Sequence, residues 1–200
     1  MRIQRWCCSL VLLCCCLLIG CSPAPEKLSF KLTDITGASF GQDFRLIDHD
    51  GQPRSLADFR KKAVVVFFGY THCPDVCPTT LGEMAVVMQD LGGAAQQVQV
   101  LFVTVDPERD TPAVLKQYVP AFHPSFLGLT GSAEEIAKTA KDFKVYFHRQ
   151  NLGDGAYNMD HTAGTYIFDP QGRIRLFAQY GAGASNLSHD LKLLLNLPTP

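Results

Sequence analysis

A strand-to-helix junction that carries two cysteines is the feature of this sequence that most limits the fold. Residues 63–69 form a short run of apolar, β-branched and aromatic residues, which predicts a strand buried on both faces. Residues 79–91 follow with apolar side chains at spacings of three and four, which predicts a helix with one apolar stripe. Cys73 and Cys77 lie between the two, so we expect both sulfurs near the helix N-terminus.

Two thiols at such a junction predict redox or metal chemistry. The unpaired N–H groups of a helix N-terminus favour anions, so we expect at least one thiol to ionise more easily than a free cysteine. A close pair of thiolates can close a disulfide or share a soft metal ion. A buried pair with a purely structural role is the alternative, and the prolines beside Cys73 and Cys77 favour the functional interpretation.

The N-terminal segment is typical of an exported lipoprotein. Arg2 and Arg5 are followed by an apolar stretch at residues 6–19, which is shorter than the roughly 20 residues of a membrane span. Residues 18–21 read Leu-Ile-Gly-Cys, which resembles a bacterial lipoprotein box, in which the chain is cut before the cysteine and the cysteine then carries lipid. We expect a signal peptide, lipidation of Cys21 and a membrane-anchored domain on the periplasmic side. An uncleaved N-terminal anchor is the alternative.

This processing determines which cysteines the mature domain keeps. Of eight cysteines, five leave with the signal peptide and Cys21 carries lipid, so any disulfide within the domain must join Cys73 and Cys77. The compartment is oxidising, so the pair will tend to close unless a reductant or a metal intervenes. The formal net charge of −1 and the lack of a basic run give no indication of a nucleic-acid surface.

The domain organisation follows from these patterns. Residues 1–20 are predicted to be the lipoprotein-type signal peptide. Residues 21–42 contain two prolines and little periodicity, which predicts a tether, and residues 43–200 are predicted to form one domain. That domain begins with a predicted β-hairpin whose turn is Asp-Gly, beside which we expect His49 to face solvent.

The order of predicted elements indicates an α/β domain. After the N-terminal β-hairpin, strands and helices alternate up to a hairpin insertion, and two strands and a helix follow. A dithiol at the first strand-to-helix junction of a central mixed sheet flanked by helices is the thioredoxin layout. We therefore predict a thioredoxin-like fold whose last helix packs near the first.

Two departures from thioredoxin favour a metal site. Three residues separate the cysteines, where thioredoxins have two. Thioredoxins also carry a cis-proline before the strand predicted at residues 164–169, yet residues 157–168 contain no proline. His161 lies there instead, where its imidazole would face two thiolates. Thiolate suits Cu(I), and thiolate with imidazole suits copper or zinc.

A polar loop follows the second predicted buried strand. Asp106, Arg109 and Asp110 lie in it, and Thr111 and Pro112 fit the N-cap and the first position of the next helix. We expect the three charged residues to form a hydrogen-bonded loop beside the site, not to bind the metal directly.

Three stretches together closely resemble the Sco/SenC family: residues 69–78, residues 105–112, and residues 160–161 with 168–172. Sco proteins are membrane-tethered copper-binding proteins with a thioredoxin-like fold, and they help to assemble the dinuclear copper site of cytochrome c oxidase. The resemblance implies that Cys73, Cys77 and His161 are the ligands of copper, as Cu(I), Cu(II) or both. Most of the family has a transmembrane anchor, so a lipid on Cys21 would be a variation.

Two functions of different classes stay open. A copper carrier would receive copper from a donor and pass it by ligand exchange to the copper-accepting subunit of cytochrome c oxidase. A thiol–disulfide reductase would keep the cysteines of that partner reduced, with Cys73 attacking, Cys77 resolving, and a thiol reductant restoring the pair. His161 discriminates between the two, because a copper site requires it and a reductase does not. A peroxidase is less well supported, because no proline precedes Cys73 as it does in peroxiredoxins.

Overall fold

The centre of the molecule is a sheet built on two buried apolar runs. The computed structural model describes residues 28–196. Every residue of Ala63–Gly69 and of Val98–Thr104 is buried, as expected for strands that are covered on both faces. Valine and phenylalanine dominate both runs, and such side chains pack well on a pleated surface.

The elements follow in the predicted order, from the N-terminal hairpin to the last helix. Short 3₁₀ segments lie at Leu56–Phe59, Gly92–Gln97 and Val119–Ala121. The strands and α-helices are β1 (Thr33–Asp34), β2 (Leu46–Asp48), β3 (Pro53–Arg54), β4 (Ala63–Gly69), α1 (Val76–Leu91), β5 (Val98–Thr104), α2 (Pro112–Tyr118), β6 (Leu127–Thr130), α3 (Ala133–Asp142), β7 (Phe147–Gly153), β8 (Ala156–His161), β9 (Gly164–Phe168), β10 (Ile174–Gln179) and α4 (Ala184–Leu194).

The main sheet is mixed and has the strand order β1-β10-β9-β4-β5-β6-β2-β3. β4, β5 and β6 are parallel, whereas β9 runs antiparallel to β4. Phe67, near the end of β4, pairs with Thr165, near the start of β9. The residues that precede β9 therefore lie beside the end of β4, where the cysteines follow. This mixed sheet with flanking helices confirms the predicted thioredoxin-like fold.

Local capping sets the helix boundaries that the sequence predicts. Thr111 caps α2 through its hydroxyl, which accepts the Val114 N–H, and Pro112 occupies the first helical position. Ser132 and Glu135 form a reciprocal capping box at the start of α3. α4 packs against α1, as predicted, and the Asp90 carboxylate of α1 accepts hydrogen bonds from Ser188 and Lys192 of α4.

The predicted tether is too long at its C-terminal end. The backbone N–H groups of Lys31 and Leu32 donate to the buried Asp190 carboxylate at 3.0 and 2.8 Å, and Thr33–Asp34 pair with β10. The chain joins the domain there because Asp190 needs donors and because Phe30 and Leu32 pack against the core. The predicted signal peptide, Cys21 and the start of the tether lie outside the described residues.

A hairpin insertion carries the third predicted ligand. β7 and β8 pair antiparallel with each other in a separate two-stranded sheet, and β8 ends at His161. This confirms the predicted insertion. Within residues 28–196, no helix combines the length and the apolar character needed to cross a bilayer.

Candidate metal centre

The two cysteines occupy the junction between β4 and α1. Asp75 is the N-cap of α1, so Cys77 lies in the first helical turn, and Cys73 lies in the preceding loop. The Cys73 N–H donates to the Tyr70 carbonyl at 3.2 Å, which folds the loop back toward the strand end. Cys77 is fully buried, whereas Cys73 is partly exposed, and neither forms a disulfide. Cys73 is therefore the more accessible of the two cysteines.

His161 brings an imidazole to the two sulfurs. The ligand atoms of Cys73, Cys77 and His161 all lie within 4.8 Å of one another, and the Cys77 sulfur is 3.8 Å from His161 Nε2. His161 Nδ1 lies 3.1 Å from the Thr162 carbonyl, which can only accept, so Nδ1 carries the proton and donates. Nε2 is then the unprotonated nitrogen, and its lone pair faces the sulfurs, where it can accept the Cys77 S–H.

Aromatic rings fix the orientation of this imidazole. The ring of Tyr70 meets that of His161 edge to face, with centroids 5.9 Å apart and planes at 90°. Phe67 makes a second edge-to-face contact at 6.4 Å. Phe67 lies near the end of β4 and Tyr70 directly follows it, so the same strand end that leads to the cysteines also packs against the histidine.

Burial governs the protonation of the site. Desolvation raises the pKa of the Cys77 thiol far above its usual value, and the neighbouring Cys73 and Asp110 add to the increase. At Cys77, burial therefore outweighs the favourable helix N-terminus. Burial also lowers the pKa of His161, which keeps the imidazole neutral and able to bind a metal at neutral pH. A bound metal cation would favour the thiolate form of Cys77 in spite of its burial, because a coordinated thiol is deprotonated.

The end of β4 approaches the site so closely that it leaves no room for a side chain. A Cβ added to Gly69 would lie 2.8 Å from the Cys77 sulfur and 2.9 Å from the Phe102 ring. Glycine is therefore required at this position by close packing, since the sulfur occupies the space that a methyl group would fill.

The polar loop lies beside the site, as predicted. Asp110 is buried and accepts hydrogen bonds from the Thr71 N–H at 3.0 Å, the Thr71 hydroxyl at 2.6 Å and the Thr104 hydroxyl at 2.6 Å. Desolvation raises its pKa, and the two threonines oppose that shift. Asp110 thus ties the cysteine loop to the end of β5 without being part of the ligand cluster.

The family follows from comparison with known proteins. The family model described as SCO1/SenC matches residues 33–196. The chain belongs to the SCO1/SenC family. This confirms the resemblance inferred from the motifs, and the SCO1/SenC match covers every element from β1 to α4.

Three relatives illustrate the degree of similarity in sequence and in structure. The mitochondrial SCO2 homolog of Bos taurus is 46% identical over 147 residues, which are 72% of this chain and 54% of that protein. The chain thus spans about half the length of this curated relative. The structure of Bradyrhizobium japonicum ScoI with copper bound has a TM-score of 0.73 and 41% identity, covering 78% of this chain and all of that one. A SCO1/SenC family lipoprotein from Bacillus anthracis has a TM-score of 0.66 and 25% identity, covering 85% of this chain and 98% of that one.

The other histidines that the structure places lie outside this cluster of three candidate ligands. His72 is exposed and bonds to the Thr71 hydroxyl at 3.1 Å, and His148 pairs with Asp160 at 3.4 Å. His49 is buried and accepts the Gly128 N–H at 3.1 Å, so the expectation that it faces solvent is wrong. No second group of three possible metal ligands converges within residues 28–196.

Sequence reasoning missed the groups that orient the ligands. The Thr162 carbonyl fixes the tautomer of His161, and the Tyr70 ring packs against its imidazole. A backbone carbonyl leaves no signal in a sequence. Tyr70 lies directly after β4 and reads as one more residue of the apolar run, so its position against a residue 91 places later could not be predicted.

Proposed function

We propose that the protein is a copper-binding metallochaperone that helps to assemble the dinuclear copper site of cytochrome c oxidase. The observation that carries this proposal is the convergence of two thiols and one imidazole, with all ligand atoms within 4.8 Å. Thiolates select Cu(I), and imidazole suits copper as well. The similarity to Bradyrhizobium japonicum ScoI, whose structure has copper bound, supports copper as the cargo, in the Cu(I) or the Cu(II) state.

The ligand set suits a metal that is passed on. Structural zinc sites usually have four protein ligands, whereas three possible ligands converge within residues 28–196. Cys73 is partly exposed on a loop, so an incoming ligand from a partner can reach the copper from that side. Copper would then move by stepwise ligand exchange to the copper-accepting subunit of cytochrome c oxidase, and a copper donor would refill the site.

Thiol–disulfide exchange is the second candidate, and the unequal exposure of the cysteines favours it. The Cys73 thiolate would attack a disulfide of the copper-accepting partner and form a mixed disulfide, releasing one partner thiol. Cys77, which is buried, would then attack Cys73, free the second partner thiol and close a Cys73–Cys77 disulfide. The partner is reduced by two electrons, the pair is oxidised by two, and an external thiol reductant restores it.

Two substitutions separate the candidates. His161→Ala and Cys77→Ser should each weaken copper binding, because each removes one of three ligands. Only Cys77→Ser should abolish the dithiol cycle, since an imidazole cannot form or resolve a disulfide. His148→Ala is the matched control, because His148 is an exposed histidine of the same hairpin outside the ligand cluster.

The decisive readout is oxidase activity in cells that lack the wild-type protein. A copper carrier requires His161, so His161→Ala should lose oxidase assembly while keeping its thiol–disulfide potential, and His148→Ala should keep both. Oxidase activity that survives His161→Ala and fails in Cys77→Ser would establish the reductase instead.

We further propose that the protein is a lipoprotein anchored through Cys21 on the periplasmic side of a membrane. The lipoprotein box at residues 18–21 supports this, and so does the similarity to a family lipoprotein from Bacillus anthracis. Metabolic labelling with a fatty acid should label the wild-type protein and leave Cys21→Ala unlabelled. Labelling that persists in Cys21→Ala would rule out Cys21 as the lipidated residue.

A further inference from the structure

The hairpin that carries His161 depends on side-chain contacts for its position. β7 and β8 pair with each other, and neither belongs to the main sheet. The short connection from His161 to β9 holds one end of β8 near the cysteines. The rest of β8 makes no strand pairing with the main sheet. Its position on the domain must therefore be set by side-chain contacts.

Arg109 makes several of these contacts. Its Nη1 donates to the Tyr157 carbonyl on β8 at 3.0 Å, and its Nε donates to Asp106 at 2.5 Å. The Tyr157 hydroxyl donates to the other oxygen of the same carboxylate at 3.0 Å. The guanidinium carbon also lies 3.6 Å from the centroid of the Tyr157 ring. Asp106, Arg109 and Tyr157 therefore form a closed triangle, which we call the hairpin latch.

The hairpin latch is connected to both halves of the metal centre. Tyr157 and His161 lie four residues apart on β8, so their side chains are on the same face of the strand. The Arg109 guanidinium carbon lies 5.8 Å from the ring centroid of Tyr70, the ring that packs edge to face on His161. The next residue, Asp110, binds the cysteine loop at Thr71. One short loop thus fixes the cysteine loop and the strand that ends at His161.

Stability alone does not explain an arginine at this position. Its Nη2 is buried and has no hydrogen-bond partner among residues 28–196. An unpaired buried donor destabilises the folded state, whatever the guanidinium gains at Asp106 and Tyr157. The flat, forked guanidinium does what an apolar residue cannot, since it binds a backbone carbonyl and a carboxylate while stacking on a ring.

We propose that Arg109 is a positioning residue for copper binding, which holds β8 so that His161 Nε2 faces the two sulfurs. This inference rests on the proposed function, because it assigns Arg109 a role in that same site. Arg109 does not touch the copper, and its whole effect on copper affinity passes through His161. Replacing Arg109 should therefore weaken copper binding only in a protein that keeps the His161 imidazole.

A double-mutant cycle tests this dependence. Arg109→Met is made in the wild-type chain and in His161→Ala, and Cu(I) affinity is measured by competition with a chromophoric chelator. In the wild-type background, Arg109→Met should weaken binding by about 10- to 100-fold, the usual effect of losing a group that orients a ligand. In the His161→Ala background, it should leave the affinity within about twofold.

Arg149→Met is the matched control. Arg149 lies 3.6 Å from the centroid of the same Tyr157 ring, but 45% of its side chain is exposed and its ion pair is with exposed Glu108. Exposed pairs contribute little, so this variant should lose no more than about fivefold in Cu(I) affinity. Circular dichroism and urea unfolding confirm folding, and Arg109→Lys, which keeps the charge but not the fork, replaces Arg109→Met if that variant is unfolded.

The outcomes separate the two claims. Wild-type affinity in Arg109→Met, or the same fold-loss in both backgrounds, would overturn the positioning role and leave the copper site intact. If His161→Ala binds Cu(I) with the affinity of the wild-type protein, the proposed ligand set and the positioning role are both overturned. A loss confined to the background that contains His161 would establish the positioning role.

Discussion

The substitution Gly69→Ala tests the packing of the metal centre most sharply. A Cβ at this position would lie 2.8 Å from the Cys77 sulfur, 2.9 Å from Phe102 and 3.0 Å from Phe67, all closer than ordinary van der Waals contact. The two rings are buried and pack against each other with centroids 5.9 Å apart, so neither can yield easily. The Cys77 thiol is the smallest of the three groups and therefore the one that must move.

The expected cost follows from this geometry. Overpacking a core usually costs about 1–3 kcal/mol, and we expect Gly69→Ala to lower the free energy of unfolding of the copper-free protein by this amount. It should also weaken Cu(I) binding, because the sulfur leaves its place opposite His161. Urea unfolding and a competitive Cu(I) titration measure the two effects.

Gly82→Ala provides the matched control. Gly82 lies inside α1, and a Cβ added there meets nothing within 4 Å. Alanine replaces glycine in a helix with a gain of about 0.5–1 kcal/mol, so this variant should be more stable and should bind Cu(I) like the wild type. A Gly69→Ala protein with wild-type stability and wild-type Cu(I) affinity would refute the close packing of Cys77 against β4.

Two further predictions concern protons and redox state. Burial lowers the pKa of His161 below its usual 6.5, so as the pH falls below 6.5 the unfolded chain takes up the proton first. The free energy of unfolding of the copper-free protein, measured in urea, should decrease until the pH passes the folded pKa, and His161→Ala should flatten that part of the curve; an unchanged curve would contradict the burial of the ring. Separately, the reduced pair should oxidise readily to a Cys73–Cys77 disulfide and lose copper, because thiolates are the ligands. Stoichiometric copper on the fully oxidised protein, seen by mass spectrometry, would contradict the site.

The parts of the fold that the sequence predicts well are those set by local interactions. The buried run of β4, the capping box at Ser132 and the Thr111–Pro112 start of α2 each depend on residues within one helical turn or one strand. The candidate ligand His161 could also be predicted, because the missing proline and the family motifs point to the same position.

The failures involve groups brought together from distant parts of the chain. β1 has two residues and no alternating pattern, and the segment before it is held by Asp190, which is 159 positions from Lys31. The raised pKa of Cys77 depends on its burial, with its sulfur packed close to Gly69, and this burial outweighs the favourable helix N-terminus. His49 is buried because Gly128 of another strand donates to it. Each case depends on tertiary packing, which local patterns do not encode.

Copper-edge X-ray absorption of the protein loaded with one equivalent of Cu(I) tests the ligand set most directly. We expect scattering from two sulfur ligands and one imidazole nitrogen in the wild-type protein, with the imidazole contribution lost in His161→Ala and a sulfur contribution lost in Cys77→Ser. A wild-type spectrum without imidazole scattering, or one that His161→Ala leaves unchanged, would contradict the claim that Cys73, Cys77 and His161 bind the copper together.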